Sequence, residues 1–177
     1  MKKNNLKQPE TIRVLYIGDI VGRPGRNAVK TLLPGLREQY GLNYVFANGE
    51  NLAAGKGMTY AKYEEMIAAG IDYFTSGNHI WNNQDIIPRL GDTTTKVLRP
   101  HNYPDDAPGR GVAEIGNIVL INLEGRVFMN EDLLDPFRGA MDIIEKYKDR
   151  TIIIDFHAEA TSEKIALGYF LDGKISA

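Results

Sequence analysis

Thr151-Ile152-Ile153-Ile154-Asp155-Phe156-His157-Ala158-Glu159 carries a β-branched apolar run straight into a group of ionisable side chains. An apolar segment this short suits a strand covered on both faces, with the polar residues marking its carboxyl end. Val14-Leu15-Tyr16-Ile17-Gly18-Asp19 repeats the arrangement near the start of the chain. Working outward, the strand candidates are 12–17, 44–47, 73–75, 118–123 and 151–156. Helical patterns fill several of the gaps, which argues for βαβ units and a mainly parallel sheet.

Val29, Leu32, Leu33 and Leu36 recur at helical spacing, and Pro34 is expected to kink or shorten that helix. Thr59 is placed to cap a helix whose apolar face includes Tyr63, Met66 and Ile67, ended by Gly70. Asp135-Pro136 reads as a cap followed by an N1 proline, opening a helix to about Tyr147. Thr161 or Ser162 would cap a last helix to about Leu171, with Glu163 complementing its N-terminal dipole. The stretch 91–116, rich in Pro, Gly, Asn and Asp, reads as a long surface loop with a short strand at 96–98.

At 177 residues the chain fits one domain, 11–177, behind a disordered lead of residues 1–10. Lys and Arg number 21 against 23 Asp and Glu, a net charge of −2, so no strong nucleic-acid or anionic-membrane footprint exists. The absence of cysteine removes disulfide frameworks, thiolate zinc sites and cysteine nucleophiles. No signal peptide is visible and no apolar run approaches the ~20 residues needed to span a bilayer. The expectation is a soluble, cytoplasmic protein.

Each strand candidate runs into polar residues: Gly18-Asp19, Asn48-Gly49-Glu50-Asn51, Ser76-Gly77-Asn78-His79, Asn122-Leu123-Glu124-Gly125-Arg126 and Asp155 to Glu159. Ligands of open α/β folds bind beyond the carboxyl ends of strands, so these groups should converge on one edge. Asp19, Asn48 and Asn78 beside glycine could each be a turn former, and His157 alone could be a hydrogen-bonded core residue. Five such coincidences are harder to accept. Glu50 at a buried strand end is costly unless paired or metal-bound.

Carboxylate and amide oxygens with imidazole suit divalent ions such as manganese, iron or zinc. A carboxylate such as Glu50 can bridge two ions ~3.5–4 Å apart, the arrangement that clamps a phosphoryl displacement. His79 is then free to protonate the leaving oxygen.

Competing motifs fail. Gly49 to Lys56 resembles a P-loop, but five residues separate Gly49 from Gly55, and Gly57 stands where Ser or Thr should hold magnesium. Gly18, Gly22 and Gly25 do not make a dinucleotide fingerprint, and no G-x-S-x-G elbow occurs. Trp81 reads as a packing residue near the site.

Gly18-Asp19, Asn48-Gly49-Glu50-Asn51, Gly77-Asn78-His79 and the run from Asp155 to Lys164 resemble the YmdB branch of the calcineurin-like metallophosphoesterases. LRPHNYP and INLEGRVFM resemble that branch too, so the likeness runs from about Ile12 onward. Wider superfamily members carry D-x-H and G-D-x-x-D where this chain has Asp19-Ile20-Val21 and Asn-Gly-Glu-Asn. The resemblance implies an α/β/β/α sandwich and a dinuclear site of divalent metal ions, iron or manganese. It also implies phosphodiesterase activity on cyclic nucleotides, notably 2′,3′-cyclic ones. By position, Asp19 and Asn51 would bind the first metal, Glu50 would bridge both, and Asn78 and His157 would bind the second. His79 would be the proton donor, and Arg126 is either a substrate-phosphate contact or a solvated arginine.

Family members continue into a strand ending in a Gly-Thr-His-Thr-His-type motif, where this chain stops at Ile175-Ser176-Ala177. The chain is therefore expected to supply the N-terminal part of the sandwich and to self-associate or bind a partner over uncovered apolar surface. A catalytically disabled fragment that binds nucleotides or protein is the alternative.

Overall fold

In the computed structural model, which describes residues 11–129 and 132–177, two βαβ units come first. They comprise β1 (Val14–Ile17), α1 (Gly22–Tyr40), β2 (Tyr44–Asn48), α2 (Tyr60–Ala68) and β3 (Tyr73–Thr75). The strands form a parallel sheet in the order β1-β2-β3. A 3₁₀ turn at Asn78–Asn82 and α3 (Ile87–Leu90) lead into a long connection. Next come β4 (Val112–Ile115), β5 (Ile118–Glu124), α4 (Pro136–Lys146), β6 (Thr151–His157) and α5 (Thr161–Leu171). The second sheet has the order β4-β5-β6, with β4 antiparallel and β6 parallel to β5. The expected lead, residues 1–10, lies outside the described residues.

Strand alternation explains the layering. Val45 and Ala47 of β2 pack with Val29, Leu33 and Met66 of α1 and α2 on one side. Phe46 turns the other way, towards Ile118 and Leu120 of the opposite sheet, with Val14, Tyr16 and Ile153 against them. Val119, Ile121 and Leu123 of β5 and Ile152 of β6 pack with Ala140, Ile143 and Leu167 of α4 and α5. The result is helices, sheet, sheet, helices: the α/β/β/α sandwich.

Three local expectations are corrected. Pro34 does not shorten α1, which runs on to Tyr40; Pro34 and Lys30, whose carbonyl loses its partner, are both exposed to water. Leu32 lies off the buried stripe of Gly22, Arg26, Val29 and Leu33 and is 59% exposed. The cap of α5 is Ala160, without a side-chain hydrogen bond, rather than Thr161 or Ser162. Thr59 and Asp135 cap α2 and α4 as expected.

The strand β4 sits inside the stretch read as loop. Its signal was the two-residue Gly116-Asn117 hairpin, with Ile115 paired to Ile118 and Gly116 at φ 57°. The expected strand at 96–98 is a single bridge, Val97 to Phe74, extending the first sheet. No helix among the described residues is long and apolar enough to cross a membrane.

Candidate active site

Alternation along β6 puts Ile153, Asp155 and His157 on the face towards the first sheet. There Asp155 Oδ2 accepts from Asn48 Nδ2 (2.9 Å) and Thr75 Oγ1 (2.5 Å). Because a carboxylate only accepts, the Thr75 proton goes to Asp155, and Tyr16 donates its hydroxyl to Thr75 Oγ1 at 2.5 Å. Burial and the neighbouring Asp155 push the Tyr16 phenol far above its ordinary range, so it remains a donor. This ladder pins the two sheets together beneath the site.

Above it, Asn48 Oδ1 accepts from the Glu50 amide at 3.1 Å, shaping the turn that leaves β2. Asn48 thus organises backbone. Glu50 is 3% exposed. Its Oε1 accepts from Asn51 Nδ2 at 3.0 Å and lies 3.4 Å from His79 Nδ1. Its Oε2 lies 3.2 Å from His157 Nε2, yet accepts no hydrogen bond. Burial raises the Glu50 carboxyl above its ordinary value; nearby His157 opposes the shift and Asp19 reinforces it.

Asn51 bridges the cluster. Its Nδ2 also donates to Asp19 Oδ2 at 2.7 Å, and its Oδ1 meets His79 Nδ1 at 2.9 Å. With Oδ1 as acceptor, the His79 proton sits on Nδ1. Gly77 makes the close approach possible. A Cβ there would sit 2.1 Å from Glu50 Oε2 and 2.4 Å from His157 Cδ2.

A cleft of about 480 Å³ opens over this group, lined by Glu50, Asn78, His79, His157, Phe128 and Met129 and by residues 159–161. A larger cleft of about 570 Å³ around Arg110 and Tyr73 is less reactive, since Arg110 is tied to Tyr73 Oη and to backbone carbonyls. Of the expected site residues, Asp19, Glu50, Asn51, His79 and His157 form one chain of contacts, and Asn78 lines the cleft. Arg126 does not join them. It lines a neighbouring cleft with Asp135, Phe137 and Glu163. Trp81 packs edge-on to Tyr103 at 5.3 Å between centroids, as expected of a packing residue.

Sequence reasoning missed Tyr16 and Thr75, and it quoted Gly77 only as part of a motif. The spacing of Asp155 and His157, two apart on one strand, was the available signal for the shared face.

The donor set fits a divalent cation. Among the described residues no lysine or arginine pairs with Asp19 or Glu50, which leaves two adjacent carboxylates with only imidazole and amide partners. The buried Glu50 Oε2 lacks a hydrogen bond, and Asn51 donates between the two carboxylates where a cation would satisfy both. Among the described residues, no three His, Asp or Glu side chains are grouped so as to hold a metal ion by themselves, so the set depends on amide oxygens as well.

Residues 15–177 match the family described as YmdB-like protein. The chain is 44% identical over 172 residues to a Bacillus subtilis protein named 2′,3′-cyclic-nucleotide 2′-phosphodiesterase, covering 94% of this chain and 64% of the relative. The crystal structure of a hypothetical protein from Thermus thermophilus superposes with a TM-score of 0.84 at 41% identity, over 93% of this chain and 65% of that one. That of a phosphatase from Mycoplasma pneumoniae gives 0.84 at 33% identity, over 93% and 61%. The chain thus spans under two thirds of the length of these relatives.

Proposed function

The chain belongs to the YmdB-like family, and from that premise we propose a metal-dependent phosphodiesterase acting on cyclic nucleotides, the 2′,3′-cyclic class above all. The observation that carries the reading is Glu50: buried, flanked by two histidines, and holding one oxygen without a hydrogen bond. The name of the Bacillus subtilis relative supports the substrate class. Asp19, Glu50, Asn51, Asn78 and His157 would hold two divalent ions, iron or manganese, which when bound supply charge neutralisation and an activated water.

The chain's own residues account for the rest. In hydrolysis a water oxygen bonds to phosphorus, one ring P–O ester bond breaks, and the departing ribose oxygen needs a proton. His79 is the donor in this reading. Its Nδ1 faces Asn51 and Glu50, which leaves Nε2 to carry and release the second proton. Glu50 Oε1, 3.4 Å away, steadies the positive ring. Gly77 keeps the wall close enough to hold His157 against Glu50.

The test is turnover of 2′,3′-cyclic AMP by the 177-residue chain purified with iron and manganese supplied, with metal content read in parallel. His79→Ala should lower kcat by roughly 10²–10⁴-fold at unchanged metal content. Full turnover in that variant removes the proton-donor role. Nucleotide binding with no turnover by the metal-loaded chain returns the binding-module reading. Self-association and a cytoplasmic location belong to the same proposal; the exposed Ile165 and Tyr169 of α5 are the apolar surface that supports association. A monomer on gel filtration at micromolar concentration would count against it.

A further inference from the structure

Phe128 is 84% exposed and sits at φ 65°, one of two non-glycine residues at positive φ among the described residues. The left-handed region disfavours any residue with a Cβ, and a bulky aromatic there is an outlier. Neither feature serves the core: the ring is not buried, and it forms no aromatic pair among the described residues. The surroundings nevertheless impose the conformation. Gly125 N donates to His157 O at 2.8 Å, tying the segment to β6. The buried Glu163 carboxylate accepts from Arg126 N at 2.9 Å and Val127 N at 3.2 Å, tying it to α5. Met129 N closes the turn onto Arg126 O at 3.3 Å, which puts Phe128 at the turn position that glycine normally fills.

The clamp holds the ring at the wall of the cleft that contains Glu50, His79 and His157. Its lining combines ionisable groups, Glu50, His79, His157 and Glu159, with the apolar Phe128 and Met129. A nucleotide has the same mixed character, with an anionic phosphate and a planar base. We propose that Phe128 is the stacking platform for the nucleobase of the substrate, the residue that makes this site prefer nucleotides over other phosphoesters. The proposal rests on the phosphodiesterase reading above and assigns the base end of that same site.

Alanine replacement of an aromatic under a stacked base costs roughly 5- to 150-fold in affinity. Calorimetry on the full chain compares adenosine 3′-monophosphate with ribose phosphate lacking the base, for wild type, Phe128→Ala, Phe128→Gly and Phe128→Tyr. Wild type and Phe128→Tyr should prefer the nucleotide by that factor, and the preference should fall towards one in Phe128→Ala and Phe128→Gly. Phe128→Gly, freed of the backbone penalty, should melt no lower than wild type, so its lost preference cannot be unfolding. An unchanged preference in the Ala and Gly variants overturns the proposal, as does a wild type that binds both compounds equally or neither. Hydrolysis of 2′,3′-cyclic AMP and of glycerol cyclic phosphate is read alongside. No turnover with the base preference intact would sink the hydrolase reading and leave the platform standing. Turnover of both at equal efficiency would do the reverse.

Discussion

In the sheet β1-β2-β3, Asp19, Glu50, Asn51, Asn78 and His79 all follow their strands, whereas β6 of the opposing sheet presents Asp155 and His157 from within the strand. A residue in a loop can be aimed by a turn, as Asn48 Oδ1 aims Glu50 through its backbone amide. A residue within a strand reaches the site only at every second position, so β6 delivers residues 153, 155 and 157 together. The loop side therefore tolerates local adjustment, and the strand side ties its chemistry to the packing between the sheets.

Gly77, where the two routes meet, offers the harshest way to break the comparison. Gly77→Ala has an ordinary backbone φ of −146°, so its effect is purely steric. Displacing Glu50 and His157 should cost at least ~100-fold in activity and about 1–3 kcal/mol in stability. Gly18→Ala, with nothing within 4 Å of its Cβ, should cost far less on both measures. Equal losses would show that crowding is not what Gly77 relieves.

Asp155 tests the strand side. Asp155→Leu leaves Asn48 Nδ2 and Thr75 Oγ1 without their shared acceptor, at a cost of about 2–3 kcal/mol in urea denaturation. A midpoint within error of wild type would mean that the inter-sheet ladder does not hold the sandwich.

Glu50 sharpens the loop side through pH. A carboxyl raised by burial favours folding below its ordinary value near 4.5, and that stability is lost as pH climbs through the higher folded value. In chelator, wild type should lose melting temperature over that window. Glu50→Gln should not, and should melt above wild type near neutral pH. Parallel profiles from about pH 4 to about pH 8 would contradict this.

Glu65 lies outside both routes and should matter least. Hydrogen bonds from Lys30 and Lys62 hold its carboxyl down to about 2. A depressed carboxyl stabilises above the ordinary value of 4.5 and loses that contribution as pH falls towards 2. On a surface screened by salt, Glu65→Gln should cost only ~0.5 kcal/mol at neutral pH, read by thermal melts, and leave activity unmoved. A cost several times larger would mean that the α1–α2 ion pairs support the site after all.

The legible parts were those where local signals agree with the fold. Strands ending in polar groups were visible because an apolar run and a turn residue need only their neighbours to be recognised. Asp135 and Thr59 capped as read, since capping is settled within one turn of helix. Pro34 does not end its helix, because its cost depends on whether water reaches the freed carbonyl, which is a property of the surface. Glu163 was read against the dipole of its own helix. It does stand in the first turn of α5, and its carboxylate also accepts from the backbone of residues 126 and 127, 37 and 36 positions away.

By itself, then, the amino-acid order determined which residue types stand at the strand ends, the helix–strand alternation, and that these 177 residues hold no cysteine. Only tertiary structure decided which of those residues meet. Whether Asn48 serves backbone while Asn51 bridges two carboxylates, whether Arg126 joins the cleft, and whether Phe128 is held against its own preference at the wall shared with Glu50 and His79 are set by contacts far apart in the chain. Chemical identity is written at each position, but distance and burial are properties of the packed whole.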